Sequence, residues 1–297
     1  MSRYFTFISL LFITLLGFSQ VEYDQPEEPA VTKEAVAKQE ANDDSKLLKE
    51  VRAMTEAVHK ANTKASKAKV GSSGDKVGAW PDGAKKTIFR FIRLRHGGRG
   101  ADYGMGEVSG NADRNFMKYF KDMTGFKVQR NSEIMPIRHL PKFPKGFAPP
   151  FVYITGTNVS VSDKEIEILR KYVINGGMIF ADAGSRKFDS SFRQIAKRLK
   201  LGPLSKIENT DPILQQPYKL ENGAFTNVPH GGRFAQGIKH RGRWVVFYFP
   251  GDLKDAWKDD ASGFKKNVVE MSYKMGINII HYSFTQYLKA TRKLRKR

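Results

Sequence analysis

Two short apolar runs on either side of an amphipathic segment predict a parallel β-sheet in the middle of the chain. Residues 151–155 and 178–183 have the length and the branched and aromatic composition of strands buried on both faces. Between them, Ser162 and Glu165 have the spacing of a capping box at the start of a helix, and Gly176 is placed to end that helix. A strand, a helix and a second strand in this order form the crossover unit of a parallel sheet.

The same alternation of strand-like and helix-like patterns continues through the chain after residue 84. Further strands are predicted at residues 88–94, 126–129 and 244–249, and further helices at 111–124, after Asp189 as the N-cap, and at 265–288 with a break near Gly276. We therefore predict an α/β domain at residues 84–290, built on a doubly wound, mostly parallel sheet.

The residues before this domain do not have the composition of a packed core. Residues 1–20 contain Arg3, a short apolar run and small residues at the spacing of a signal-peptidase site. This pattern predicts a cleaved secretory signal, with an uncleaved membrane anchor as the alternative. Residues 21–83 are predicted to form a linker, first disordered and then helical. A heptad repeat of apolar residues begins at Leu47 and ends at Ala68, and it is the expected place of any self-association.

The composition points to anionic partners outside the cytoplasm. The net charge is +21, and residues 81–297 carry the whole excess, with 40 basic and 19 acidic residues. If the chain is exported, to the periplasm or elsewhere in the cell envelope, such a field favours acidic polysaccharide, phospholipid head groups or another envelope anion. The basic tail, residues 291–297, is a candidate contact with a membrane surface. The absence of cysteine excludes disulfides, thiolate metal sites and a thiol nucleophile.

Ligands of open parallel sheets bind beyond the carboxyl ends of the strands, so the loops at those ends contain the candidate binding residues. Three predicted loops begin there, at Arg95, Thr155 and Asp182, and two further candidates follow the last strand. The candidate ligand-binding residues are Arg95, His96, Arg99, Thr155, Gly156, Asp182, Gly184, Ser185, Arg186, Asp252 and Trp257. The structural alternatives are a basic surface turn for the first loop, a backbone cap for Thr155, helix capping for Asp182 and Ser185, and coverage of the core for Trp257.

No complete catalytic or cofactor motif accompanies these loops. Asp182, Ser185 and His96 are the candidates for an acid, a nucleophile and a base, and they need hydrogen-bonding contact to act together. The six histidines lack the spacing of metal ligands on a helix, so no metal site is predicted. The glycine-rich first loop lacks the lysine and hydroxyl residue of a P-loop, and no cofactor is predicted.

The ordered set of these segments resembles a bacterial family of domains of unknown function, numbered 4159. The segments that carry the resemblance are FRFIRLRHGG, FVYITG, VSDKEIEILRKYVINGGMIFADAGS, FDSSFR, DPILQQPYKL, GDLKDAW and MGINIIHYSFT. The resemblance implies a flavodoxin-like or class I glutamine amidotransferase-like fold and a cell-envelope location, without an established reaction. Amidotransferase-like enzymes use a cysteine nucleophile, which this chain lacks. The chain also has Thr210, Asp211 and Pro212 where relatives often have Asp-His before Pro-Ile.

Three functional hypotheses follow from the sequence. The first is a non-catalytic envelope domain that binds an anionic or carbohydrate-like ligand, or a partner protein, at the strand-end loops. The second is a hydrolase-like enzyme that uses Asp182 or Ser185 with His96. The third is binding of nucleic acid or anionic lipid through the basic surface; for nucleic acid this requires a cytoplasmic location, and the chain has no base-reading module.

Overall fold

The structure is a computed structural model that describes residues 49, 89–107, 110–143, 146, 148–220 and 234–291. The predicted signal sequence, nearly all of the predicted linker with its heptad repeat, and the basic tail after residue 291 lie outside these residues. Within the described residues, no helix is both long enough and apolar enough to span a membrane.

The described part of the chain forms a seven-stranded sheet with helices on its faces. The strands are β1 (Ile92–Arg95), β2 (Glu133–Pro136), β3 (Phe151–Gly156), β4 (Met178–Ala183), β5 (Ser205–Lys206), β6 (Gln236–His240) and β7 (Arg243–Phe249). The helices are α1 (Ala112–Thr124), α2 (Asp163–Ile174), α3 (Arg186–Arg198), α4 (Pro212–Gln215), α5 (Leu253–Ala256) and α6 (Lys266–Thr291), with 3-10 turns at Ile137–Lys142 and Asp259–Ser262.

The strand order is β2-β1-β3-β4-β7-β6-β5, and the first five strands in this order are parallel. β6 and β5 continue the sheet in antiparallel pairing. The prediction of an α/β fold with a mostly parallel sheet is therefore confirmed. The capping box of Ser162 and Glu165 at the start of α2 is also present.

The two faces of the sheet are covered by different helices. One face packs against α1, α5 and α6, where the rings of Phe116 and Trp257 stack with centroids 4.3 Å apart. The other face packs against α2 and α3, where Phe192 contacts Tyr248 of β7 at 4.7 Å between centroids. The central strands β3 and β4 are buried along their whole length, and apart from Thr155 and Asp182 near their ends their residues are largely apolar on both faces of the sheet.

The predicted strand at 126–129 is wrong in position. Only an isolated bridge joins Phe89 to Val128, and the second strand is β2. The amide of Glu133 donates to the carbonyl of Phe91, so the chain pairs with β1 again after a bend at residues 130–132. Pro136 lies at the last position of β2, where proline is tolerated.

Two predicted helix boundaries are also wrong. The N-cap of α3 is Ser185, whose hydroxyl accepts from the amide of Phe188, and Asp189 lies in the first turn instead. α6 is a single helix that continues through Gly276. A Cβ atom at Gly276 would lie 2.4 Å from the ring of Phe116, so this glycine permits close packing of α6 on α1 and does not end a helix.

Candidate functional site

The loops that follow β1, β3 and β4 meet at the carboxyl edge of the sheet, as the sequence analysis predicts. The Cα atoms of Thr155 and Asp182 are direct partners across β3 and β4, and β1 pairs with the other side of β3. The amide of Thr157 donates to the carbonyl of Arg99 over 2.9 Å, which joins the first two loops directly. These loops themselves therefore occupy the space between the ends of β1 and β3.

Glycines permit this contact between loops. A Cβ atom at Gly98 would lie 2.1 Å from the carbonyl oxygen of Asn158, and one at Gly156 would lie 2.3 Å from that of Arg99. Gly156 also has a φ of 148°, which favours glycine. A Cβ atom at Gly184 would lie 2.8 Å from the carbonyl oxygen of Gly156. The positions of these glycines are explained by contacts between the loops, without a bound ligand.

The imidazole of His96 holds the first two loops together. Its Nδ1 accepts a hydrogen bond from the amide of Gly98 (3.0 Å), so Nε2 carries the proton and donates to the carbonyl of Thr155 (2.9 Å). Burial lowers the pKa of His96, and the ring is neutral at neutral pH. Since both nitrogens are occupied, the imidazole has no free position for a proton from a substrate.

Ser185 and Asp182 both cap helices, which confirms the structural alternative for these two residues. The hydroxyl of Ser185 accepts from the amide of Phe188 (3.1 Å) and donates to the carbonyl of Thr157. The carboxylate of Asp182 accepts from the amides of Leu253 (2.7 Å) and Lys254 (2.9 Å) at the start of α5. These two hydrogen bonds attach the start of α5, which follows β7, to β4.

Beneath these loops lies a group of buried polar side chains, here called the buried charge cluster: Arg93, Asp113, Tyr153, Asp182, Asp252 and Lys254. Arg93 and Asp113 are paired through two hydrogen bonds, and both side chains are almost completely buried. The guanidinium of Arg93 also lies 4.9 Å from the ring centroid of Tyr153. The hydroxyl of Tyr153 donates to Asp182 over 2.9 Å, so the cluster connects β1, β3, β4 and α1.

Lys254 adds a second buried cation to the cluster. Its ammonium lies 3.0 Å from the carboxylate of Asp252, and both side chains are at most 6% exposed. Burial alone would lower the pKa of Lys254, but the neighbouring carboxylates Asp252 and Asp182 raise it. Burial, and then the charge of Asp252, raise the pKa of Asp182 to about 7. Raised pKa values of this kind occur at functional sites and in structural ion networks alike.

The surface of the carboxyl edge is formed by residues around the same loops. Arg95, Arg99 and Arg186 are exposed, and no ion pair or side-chain hydrogen bond holds their guanidinium groups within the described structure. Tyr103 is 50% exposed and follows Arg99 in the same turn, where its amide donates to the carbonyl of Gly100. We call Arg95, Arg99, Tyr103 and Arg186 the carboxyl-edge rim.

Two of the predicted ligand-binding residues, Trp257 and Asp252, are buried instead. Trp257 has no exposed surface, and its indole donates to the carbonyl of Ser272 over 3.2 Å. Asp252 is 4% exposed and belongs to the buried charge cluster. The alternative that Trp257 covers the core is therefore confirmed, because α6 and α1 enclose its ring.

Arg93, Asp113 and Lys254 were not among the predicted site residues. A signal for Arg93 exists, because strand alternation places it on the same face as Phe89 and Phe91, which are completely buried. A charged residue at an inward position of a strand indicates a buried partner. No comparable pattern identifies Asp113 or Lys254, which lie at the starts of α1 and α5. Within the described residues, no group of acidic or histidine side chains is placed to hold a metal ion.

The comparison with known families supports the resemblance found in the sequence. The model of the family described as "Domain of unknown function (DUF4159)" matches residues 90–284, and the chain belongs to this family. The match covers β1 through most of α6, including the carboxyl-edge loops and the buried charge cluster. No curated protein matches the chain.

Proposed function

We propose that this DUF4159 domain is a non-catalytic binding domain of the cell envelope, and that its carboxyl-edge rim binds acidic polysaccharide. Export rests on the signal sequence predicted at residues 1–20, and the envelope supplies anionic polymers of this class. We also infer that the parallel part of the sheet is flavodoxin-like, which its strand order β2-β1-β3-β4-β7 supports.

The main support for the proposal is that the arginines of the carboxyl-edge rim lack the ion pairs that arginines on the helices form. On the helices, Arg170, Arg193 and Arg198 form ion pairs with carboxylates. The rim arginines have no such partner in the described structure. An exposed guanidinium without a partner can form bidentate hydrogen bonds to a carboxylate or sulfate of a ligand.

Tyr103 favours a carbohydrate over a simple anion. An exposed aromatic ring beside a cation offers a surface on which a sugar ring can stack while the cation binds its acidic group. Arg99 directly precedes the turn from Gly100 to Tyr103, and we infer that a single uronate residue contacts both Arg99 and Tyr103.

The hydrolase alternative has less support. His96, Ser185 and Asp182 each use their polar atoms in hydrogen bonds within the protein. Asp182 is completely buried, so a substrate could reach it only after the loops separate. A general acid or base needs contact with the substrate directly or through one water molecule.

The proposal is tested by isothermal titration of the purified chain with an oligogalacturonate. The triple variant Arg95→Glu, Arg99→Glu and Arg186→Glu should weaken binding about 100-fold, since each lost charge-assisted hydrogen bond contributes about 1 kcal/mol or more. The matched control changes Lys118, Lys121 and Lys127 to Glu, three exposed residues outside the rim. The control has the same net charge and should weaken binding only a few-fold.

Three results would contradict the proposal. Equal weakening by both triple variants means that net charge, and not the rim, drives binding. Binding to phosphatidylglycerol vesicles without binding to the oligosaccharide favours a membrane surface as the partner. Shortening of the oligogalacturonate during the titration, detected by mass spectrometry, favours the hydrolase alternative.

A further inference from the structure

A separate cavity lies at the opposite, amino edge of the sheet. Its volume is about 320 Å³, near the lower end of the range of small-molecule sites. Its wall includes Trp244 at the start of β7, Lys239 at the end of β6, and Lys289 near the end of α6. None of the predicted site residues lines this cavity, which we call the Trp244 pocket.

Hydrogen bonds fix the aromatic wall of the Trp244 pocket. The indole Nε1 of Trp244 donates to Asp211 over 2.9 Å, and its backbone amide donates to the hydroxyl of Tyr282 over 2.9 Å. The other oxygen of Asp211 accepts from the amide of Ile213 at 3.1 Å. Gly237 leaves room for the ring of Trp244, because a Cβ atom there would lie 2.7 Å from it. Asp211 is therefore used by the protein itself to position the wall.

Four further polar side chains of the pocket, those of Lys239, Lys289, Gln216 and Gln286, can contact a ligand. Lys239 and Lys289 are exposed and form no ion pair within the described residues, and the ammonium of Lys239 lies 5.1 Å from the ring centroid of Trp244. A register shift between Ile238 and Lys239 interrupts the pairing of β6 with β7 at this point. The side-chain amide groups of Gln216 and Gln286 also line the pocket, and no hydrogen bond holds them within the described structure.

This set of groups defines the chemistry of a ligand. Two ammonium groups match one carboxylate or phosphate, and two amide groups can each donate to and accept from hydroxyls. Trp244 is 6% exposed, so it offers a small apolar surface against which one edge of a ring can pack. We infer that the Trp244 pocket binds a small hydroxylated molecule of monosaccharide size that bears one carboxylate or phosphate. The inference does not depend on the function proposed for the carboxyl-edge rim.

The test follows the indole N–H resonance of Trp244 in the full chain by NMR, assigned with a Trp244→Phe variant. Titration with glucuronate or with glucose 6-phosphate should shift this resonance to saturation. The probe that binds with the higher affinity shows whether the pocket prefers a carboxylate or a phosphate. Glucose, which lacks the charge, should bind at least about tenfold more weakly, as expected when one charge-assisted contact is lost.

The double variant Lys239→Glu and Lys289→Glu should weaken the charged probe by about 30-fold or more, because repulsion replaces two attractive contacts. The matched control, Lys118→Glu with Lys121→Glu, should change its affinity by less than about twofold at moderate ionic strength. The triple variant Arg95→Glu, Arg99→Glu and Arg186→Glu should likewise change the affinity of the charged probe by less than about twofold. The inference is overturned if neither charged probe gives a saturable shift, if glucose binds as well as they do, or if both double variants weaken binding equally.

Discussion

The two edges of the sheet use polar side chains in opposite ways. At the carboxyl edge, Arg93 and Asp182 have no exposed surface, and the loops above them are hydrogen-bonded to one another. At the amino edge, Lys239 and Lys289 are exposed around a cavity whose wall is fixed by other residues. Ligands of parallel sheets usually bind at the carboxyl edge. In this protein, however, the space at the carboxyl edge is filled by side chains and loops, and the cavity lies at the amino edge.

This contrast shows that strand order locates a possible crevice but does not create one. A crevice between β1 and β3 requires that the loops after these strands diverge. Here Gly98 and Gly156 let the two loops approach to backbone contact, and His96 bridges them. Binding at this edge must therefore use the exposed rim, whereas the amino edge has a partly open cavity of about 320 Å³.

The largest effect is expected from breaking the buried ion pair beneath the carboxyl edge. Asp113→Asn leaves the guanidinium of Arg93 buried without a compensating charge, and a loss of about 3–5 kcal/mol in the free energy of unfolding is expected. Urea unfolding followed by circular dichroism measures this loss. A loss below about 1 kcal/mol would mean that water reaches Arg93, and the description of a filled carboxyl edge would then be wrong.

An exposed pair provides the control for that variant. Asp163 forms an ion pair with Arg198 over 2.8 Å, but its side chain is fully exposed. Asp163→Asn makes the same chemical change on the surface, where solvent screens the ion pair, so a much smaller loss in the free energy of unfolding is expected. The difference between the two variants isolates the effect of burial.

A smaller and pH-dependent effect is expected at Asp182. Burial raises its pKa from 3.8 to about 7, so between these values the folded state holds a proton that the unfolded chain has released. The free energy of unfolding should therefore fall as the pH rises through this window, by up to a few kcal/mol. Asp182→Asn cannot titrate, so its cost relative to the wild type should be largest near pH 4 and should shrink toward pH 7.

Unfolding by urea at several pH values between about 4 and 8 measures this dependence. The groups that act on Asp182 are Asp252, Lys254 and Tyr153, and all of them are present in both proteins. If the cost of the substitution instead stays constant over this pH range, Asp182 is charged in the folded protein throughout it. The hydrogen bonds from the amides of Leu253 and Lys254 would then outweigh burial.

The sequence predicted the central architecture because local and long-range signals agree there. β3, α2 and β4 are buried strands and a capped helix in one crossover unit, and their bounds match the prediction closely. The convergence of the loops at Thr155 and Asp182 follows from the same parallel register. The second strand was misplaced because its pairing resumes after a bend that has no distinctive residue pattern.

The Trp244 pocket was harder to predict because segments far apart in the sequence form it. The Trp244 pocket is lined by parts of DPILQQPYKL and IHYSFT, two segments that the family resemblance already marked. Their proximity is created by α6, which returns to the amino edge, and by the antiparallel strand β6. Neither spacing nor periodicity contains that information, so all of the predicted site residues lie in the loops at the carboxyl edge, which parallel topology favours.

The smallest effect is the difference in stability loss between two Gly→Ala substitutions, one at each edge of the sheet. At Gly156→Ala, the new Cβ atom would meet the carbonyl oxygen of Arg99 at 2.3 Å and the backbone has a φ of 148°, so both a clash and strain oppose folding. At Gly242→Ala, beside the Trp244 pocket, the φ is 79° and no atom lies within 4 Å of the new Cβ. Strain alone costs about 1 kcal/mol there, and the loss at Gly156 should be about 2–3 kcal/mol. Thermal unfolding of the two variants measures the difference. Equal losses would show that the carboxyl-edge loops can separate, which would restore a crevice between β1 and β3 as the binding site.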